Sequence, residues 1–153
     1  MVACGGPKEL KDFTKKFNEN AYEFVAVDIL KENDFGKIEE EKYGNWQTLY
    51  DLEGSYTIYA KYDRNNNIVG YNIHISGDEP YEELTGTGFE ASQVIAETLE
   101  LKRDVFIENY QKSLEIGEAE YQDGDYEITF YDFHVDEMIE HQGMTINFNK
   151  INN

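Results

Sequence analysis

His134, Asp136, Glu137, Glu140 and His141 gather imidazole nitrogens and carboxylate oxygens into one short stretch, the donor types that hold a divalent metal ion. If Glu137 and His141 share a helical turn they face one ion, and His134 reaches it from the strand before. His134, Glu137 and His141 are therefore the candidate metal set. The His-Glu-x-x-His spacing of zinc hydrolases does not occur in this stretch, and a solvated acidic loop accounts for the same residues. Nucleophilic chemistry has less to work with. Ser55, Ser76, Ser92 and Ser113 stand in strand, loop or helix contexts outside any Gly-x-Ser-x-Gly elbow, and the single cysteine, Cys4, lies on the N-terminal tail.

Other patterns stop short of a site. Asp63-x-Asn65-x-Asn67 opens like a calcium loop, but Ile68 stands where the glycine is needed and His74 where the bidentate glutamate belongs, so the stretch reads as a hairpin turn. Gly86-Thr87-Gly88 precedes a helix, yet no lysine follows and the surrounding charge is negative. Glu82 and Glu83 are carboxylates whose use in glycoside chemistry depends on spatial separation. The expectation is a non-enzyme with no cofactor.

Binding through a surface remains. The chain of 153 residues has a formal net charge of -19, and it carries no Lys or Arg from Ser113 to Asn149 or from Asn65 to Leu101. Such a field repels nucleic acid and selects a cationic protein or peptide. Tyr56, Tyr59, Tyr62, Tyr71, Tyr126 and Tyr131 fall on predicted strands, so a sheet face could present tyrosines ringed by acids. The candidate partner-binding residues are Tyr126, Tyr131, Asp123, Asp125, Glu127 and Asp132. Burial beneath a helix competes for the same rings.

The elements that must position these groups follow from periodicity. Pro7 starts a helix over about 7–24, with Leu10, Phe13, Phe17, Ala21 and Phe24 on one face. From Asn45 the period falls to two: a strand at 46–50, then Tyr56, Ile58, Ala60 and Tyr62 on a second, and Val69, Tyr71, Ile73 and Ile75 on its return. Thr87 and Glu90 have capping-box spacing ahead of an apolar stripe that runs to Leu114, with Gly117 as the stop, which predicts one long helix over about 87–117. Three strands follow, the first two joined at Asp123-Gly124 and the last spanning Met144, Ile146 and Phe148. The fold class is α+β, an antiparallel sheet of two three-stranded runs covered by the long helix and the N-terminal one. Gly54-Ser55-Tyr56-Thr57-Ile58 and Gly124-Asp125-Tyr126-Glu127-Ile128 match in their Gly, Tyr and Ile, as in an αβββ tandem repeat with halves 7–76 and 87–151; similar hairpins in a single domain explain them equally. With 14% aromatic and 40% hydrophobic residues, 7–153 can bury the core of one domain.

Met1-Val2-Ala3-Cys4-Gly5-Gly6 resembles the end of a bacterial lipobox, in which small residues precede a cysteine that becomes diacylated. The resemblance covers residues 1–6 and implies a small surface lipoprotein of the Gram-positive type, with Met1 standing where a precursor carries Leu. It further implies a lipid on Cys4, an extracytoplasmic address at the cell membrane and a short tether. No basic and apolar signal segment precedes Cys4 in the sequence. The expected function is membrane-anchored, non-catalytic binding of a cationic protein or peptide through an acidic, tyrosine-rich sheet face. The alternatives are an immunity or inhibitor protein that neutralises a secreted toxin or hydrolase, and a metal-binding protein using His134 and His141.

Overall fold

A computed structural model of the chain describes residues 6–76, 84–133 and 143–151. Three helices, α1 (Gly6–Ala21), α2 (Thr87–Thr98) and α3 (Arg103–Ile116), lie on one face of a seven-stranded sheet. The strands are β1 (Glu39–Glu41), β2 (Gly44–Leu52), β3 (Tyr56–Tyr62), β4 (Ile68–Ser76), β5 (Glu118–Asp123), β6 (Tyr126–Asp132) and β7 (Gly143–Lys150). Their order is β1-β2-β3-β4-β7-β6-β5 and every pair is antiparallel. The mixed α+β architecture is thus as the period change predicts. The meanders β2-β3-β4 and β5-β6-β7 meet where β4 pairs with β7, with Ile73 opposite Ile146.

Alternation along the strands places Tyr56, Ile58, Ala60, Tyr71, Ile73, Ile75, Ile128, Phe130, Met144, Ile146 and Phe148 beneath the helices. α1 covers one flank, where Phe13 stacks on Tyr71 with ring centroids 3.9 Å apart. α3 covers the other, where Phe106 meets Phe130 at 5.3 Å and Phe148 at 6.0 Å. Large rings suit both interfaces because each removes much apolar area from water in a few stiff side chains. α2 packs between α1 and α3 above β4.

Three expected boundaries are corrected. The single helix over 87–117 is two helices, because Glu100 adopts φ 62° and ends α2. Glu100 N–H donates to Glu97 O at 3.0 Å and Leu101 N–H to Ala96 O at 2.9 Å, the paired bonds of a Schellman cap, with Leu101 buried behind it. The break lets the apolar stripe turn a corner without a glycine to mark it. The N-terminal helix stops at Ala21 rather than near 24, and Asn18 then fastens the following segment through Nδ2 to Leu30 O at 2.9 Å and Oδ1 to Leu30 N–H at 2.7 Å. Thr87 is already helical, with Gly86 in the capping position. Gly117 closes α3 at φ 94° as its spacing predicts.

Asp63 confirms the turn reading of Asp63 to Asn67. Its Oδ1 accepts the N–H groups of Asn65 at 2.8 Å and Asn67 at 2.9 Å, and these bonds, the Asn67 amide first, hold its carboxyl below the usual range. Among the described residues no helix is long and apolar enough to cross a membrane.

Candidate functional site

The helices cover one face of the sheet, and among the described residues the other face has no helix packed on it. Alternation sends the remaining strand side chains there. The cross-strand rows are Trp46 beside Lys61, Thr48 beside Tyr59, Tyr59 beside Asn72, His74 beside Thr145 and Tyr131 beside Thr145. This face is the candidate interaction site.

Lys61 occupies its middle. The stem lies over Gly70, whose missing side chain leaves Lys61 Cε 3.3 Å from where a Cβ would stand. The ammonium donates to Asn147 Oδ1 at 3.0 Å and to Asn149 Oδ1, and sits 5.7 Å from the centre of the Trp46 ring. Asn72 Nδ2 donates to the same Asn147 oxygen at 2.8 Å, so three strands share one amide network. Burial lowers the Lys61 amine to about 8, and among the described residues no carboxylate stands at bonding distance to offset it. Trp46 and Tyr59 pack edge to face at 5.7 Å, which fixes two aromatic surfaces beside the lysine. Burial also lowers His74, whose Nδ1 lies 2.9 Å from Thr145 Oγ1, so the imidazole is neutral near pH 7.

Carboxylates lie toward the margins of the face. Glu39 pairs with Trp46 at one edge of the sheet, and Asp51 accepts the Thr57 hydroxyl at 2.9 Å. At the other edge Glu118 and Glu120 are exposed, and Glu127 lies on the adjacent strand. A polar and aromatic centre is therefore flanked by acidic strands.

The sequence-derived residues divide between several places. Tyr131, half-exposed at 51%, and Glu127 lie on the open face. Tyr126 and Asp132 point to the helix side, where Asp132 is buried at 2% exposure. Asp123 and Asp125 flank Gly124 at the hairpin turn, and Asp123 is occupied by the backbone of Lys102. Tyr56, Tyr62 and Tyr71 are core residues, so of the six strand tyrosines Tyr59 and Tyr131 are the two the open face receives. Cys4 and the set His134, Glu137 and His141 lie outside the described residues.

Trp46, Lys61, Asn72, Asn147 and Asn149 were not singled out by sequence reasoning. The alternation Thr145-x-Asn147-x-Asn149 opposite an apolar set is the signal that could have found the polar row, but only the β4–β7 pairing brings it to Lys61. No protein-family model, no curated protein and no solved structure matches this chain.

Proposed function

We propose that the chain is a non-catalytic binding module, held outside the cell membrane by lipid on Cys4, that seats a cationic protein on its open sheet face. The observation that carries this reading is the charge layout of that face: Glu39, Glu118 and Glu120 on the edge strands, Glu127 on the strand beside β5, and the rigid rings of Trp46 and Tyr59 nearer the centre. Acids at a margin accelerate the approach of a basic partner and reject acidic ones, while aromatic anchors supply contact area at small entropy cost. An inhibitor that seats on the basic cleft of a secreted toxin or hydrolase would use the same surface in the same way.

The two meanders further favour descent from an αβββ tandem. Gly54 and Gly124 each take positive φ, at 79° and 58°, and Ile58 and Ile128 are each fully buried on the strand that follows.

Trp46 is the only tryptophan, so its emission reports this face directly. Titration with a lysine-rich peptide is expected to shift the Trp46 emission, more weakly at high salt and more weakly still in Glu118→Gln/Glu120→Gln. Saturable binding that leaves Trp46 unchanged, or that ignores the charge removal, sinks the reading. The anchor is tested on a precursor carrying a lipoprotein leader, where Cys4→Ser should abolish incorporation of labelled fatty acid.

A further inference from the structure

Most of the molecule is acidic, and one flank of α1 is the exception. Lys8, Lys11 and Lys15 recur at i, i+3 and i+7 and are all exposed, so they stand in one row along the helix. Glu9, Asp12 and Lys16 lie toward the cleft that α1 forms with the α2–α3 break and the β5–β6 turn. Glu9 is paired with Lys150, which leaves Asp12 and Glu19 as the exposed acids of α1 beside the row. A second, independent feature continues it. Tyr22, seven residues after Lys15, is 86% exposed, Val25 is fully exposed and Ile29 is exposed as well, in a segment that turns through bonds from Glu23 N–H to Asn20 O at 3.2 Å and from Phe24 N–H to Ala21 O at 3.0 Å. The acids within that segment are occupied: Glu23 pairs with Arg103 at 3.5 Å, and Asp28 accepts the Tyr50 hydroxyl. Single exposed apolar residues are ordinary, but three between residues 22 and 29, at the end of a lysine row, have the composition of an interfacial segment.

We propose that this face, the Lys8, Lys11 and Lys15 row together with the 22–29 segment, docks on the anionic headgroups of a lipid bilayer. Charge complementarity selects the occupant: the ammonium groups meet headgroup phosphates, while Tyr22 and Val25 enter the boundary between headgroups and acyl chains. The orientation is set by what such a surface rejects. With a net charge of -19 the rest of the chain is repelled, so the lysine row is the part an anionic surface attracts. Because α1 packs on the helix side of the sheet, docking turns the open face away from the lipid and toward any partner. Three lysines and a short apolar segment bind only marginally by themselves. The proposal therefore rests on the anchored reading above, in which a lipid on Cys4, two residues before α1 begins, holds the row at the surface.

The sole cysteine allows the tether to be supplied chemically, by coupling Cys4 of the full chain to a maleimide-bearing phospholipid in vesicles of phosphatidylcholine with or without phosphatidylglycerol. Limiting acetylation, read by mass spectrometry, is expected to slow at Lys8, Lys11 and Lys15 on the anionic vesicles relative to Lys42 and Lys112, and to recover at high salt. Lys11→Gln/Lys15→Gln changes two exposed residues and should lower the docked population, read at Lys8, about 25-fold, at roughly fivefold per lysine. Brominated lipid should quench the added emission of Tyr22→Trp and leave the Trp46 emission of the parent unchanged. Equal protection with and without phosphatidylglycerol would overturn the proposal, as would quenching of Trp46 in the parent. So would the same protection arising in the untethered protein as its concentration rises, the mark of a second copy's acidic strands on the row. Because the tether is supplied, failure here leaves lipidation of Cys4 standing, and that reading fails only in the fatty-acid experiment.

Discussion

Asp123 Oδ2 accepts the backbone N–H of Lys102 at 2.8 Å, so the last turn before β6 pins the joint between α2 and α3. This carboxylate, which the sequence offers as a partner-binding group, instead satisfies the N-cap residue of a helix from across the fold. Asp123→Ala leaves that N–H without its acceptor and should cost about 1 kcal/mol, by analogy with the loss of a local cap. Urea denaturation measures it, and hydrogen exchange at 101–104 should quicken in the variant. A midpoint equal to that of the parent would show the contact to be energetically idle.

Glu100 holds the other half of that joint. An L-residue with a side chain pays steric strain at φ 62°, whereas glycine does not. Glu100→Gly should raise stability by about 1 kcal/mol, offset in part by the greater freedom of glycine in the unfolded chain. Thermal denaturation measures the change, and a midpoint below that of the parent would mean that the freedom of glycine in the unfolded chain outweighs the strain relieved.

The buried hydroxyl of Tyr121 has no hydrogen-bond partner among the described residues, and its ring is stacked 6.2 Å from Phe130. Desolvation, followed by the nearby Asp123 charge, pushes the phenol upward, so it stays neutral through the physiological range. An unsatisfied buried hydroxyl costs more than the absent oxygen would, and Tyr121→Phe should be neutral or stabilising by up to about 1 kcal/mol. Measured destabilisation beyond that would mean the hydroxyl has a partner that the described residues do not supply.

Much of this architecture is legible in period and punctuation. β3, β4, β6 and β7 alternate because one side of each strand enters the core, and Gly117 marks a helix end because a positive φ is needed there. Other features carry no local mark. The α2–α3 break uses Glu100 where a Gly would have announced it, and β1 is three exposed glutamates paired with β2. The open face was harder still. Alternation says that two faces exist, but which tyrosine falls on which depends on the bulge between Thr48 and Tyr50 and on cross-strand register. Asn72 and Asn147 are 75 residues apart and become neighbours only through the β4–β7 pair.

Gly70 shows how tightly that pair is drawn. A Cβ there would lie 2.4 Å from the carbonyl oxygen of Phe148 and 3.1 Å from Asn149 Cα, both backbone atoms that cannot swing aside. Gly70→Ala must push β7 away from β4 or displace the Lys61 stem, and overpacking of this kind costs about 1–3 kcal/mol. The expected outcome is a lower denaturation midpoint together with a changed Trp46 emission, since Trp46 packs near the Lys61 ammonium. A loss of stability with unaltered emission would place the relaxation in β7 alone.

Lys61 gives the open face a chemical signature that can be read without a partner. Its amine is lowered from the usual 10.5 to about 8 because burial disfavours the charged form. At pH 8 roughly half of the Lys61 amines are neutral, against under about 1% for an ordinary lysine, so acetic anhydride at limiting dose should label Lys61 ahead of exposed lysines. The stability consequence has a definite sign. Below pH 8 both folded and unfolded chains hold the proton and the desolvation penalty is fully present; between pH 8 and 10.5 the unfolded chain binds more protons, so this group makes the fold more stable as pH rises. Lys61→Met removes the penalty, and its stability relative to the parent should therefore be greatest near pH 7 and shrink toward pH 10.5. Chemical denaturation at several pH values measures the difference. A gap that stays constant with pH, together with labelling of Lys61 no faster than that of Lys8 or Lys15, would mean that the ammonium is well solvated and that the centre of the face is wet.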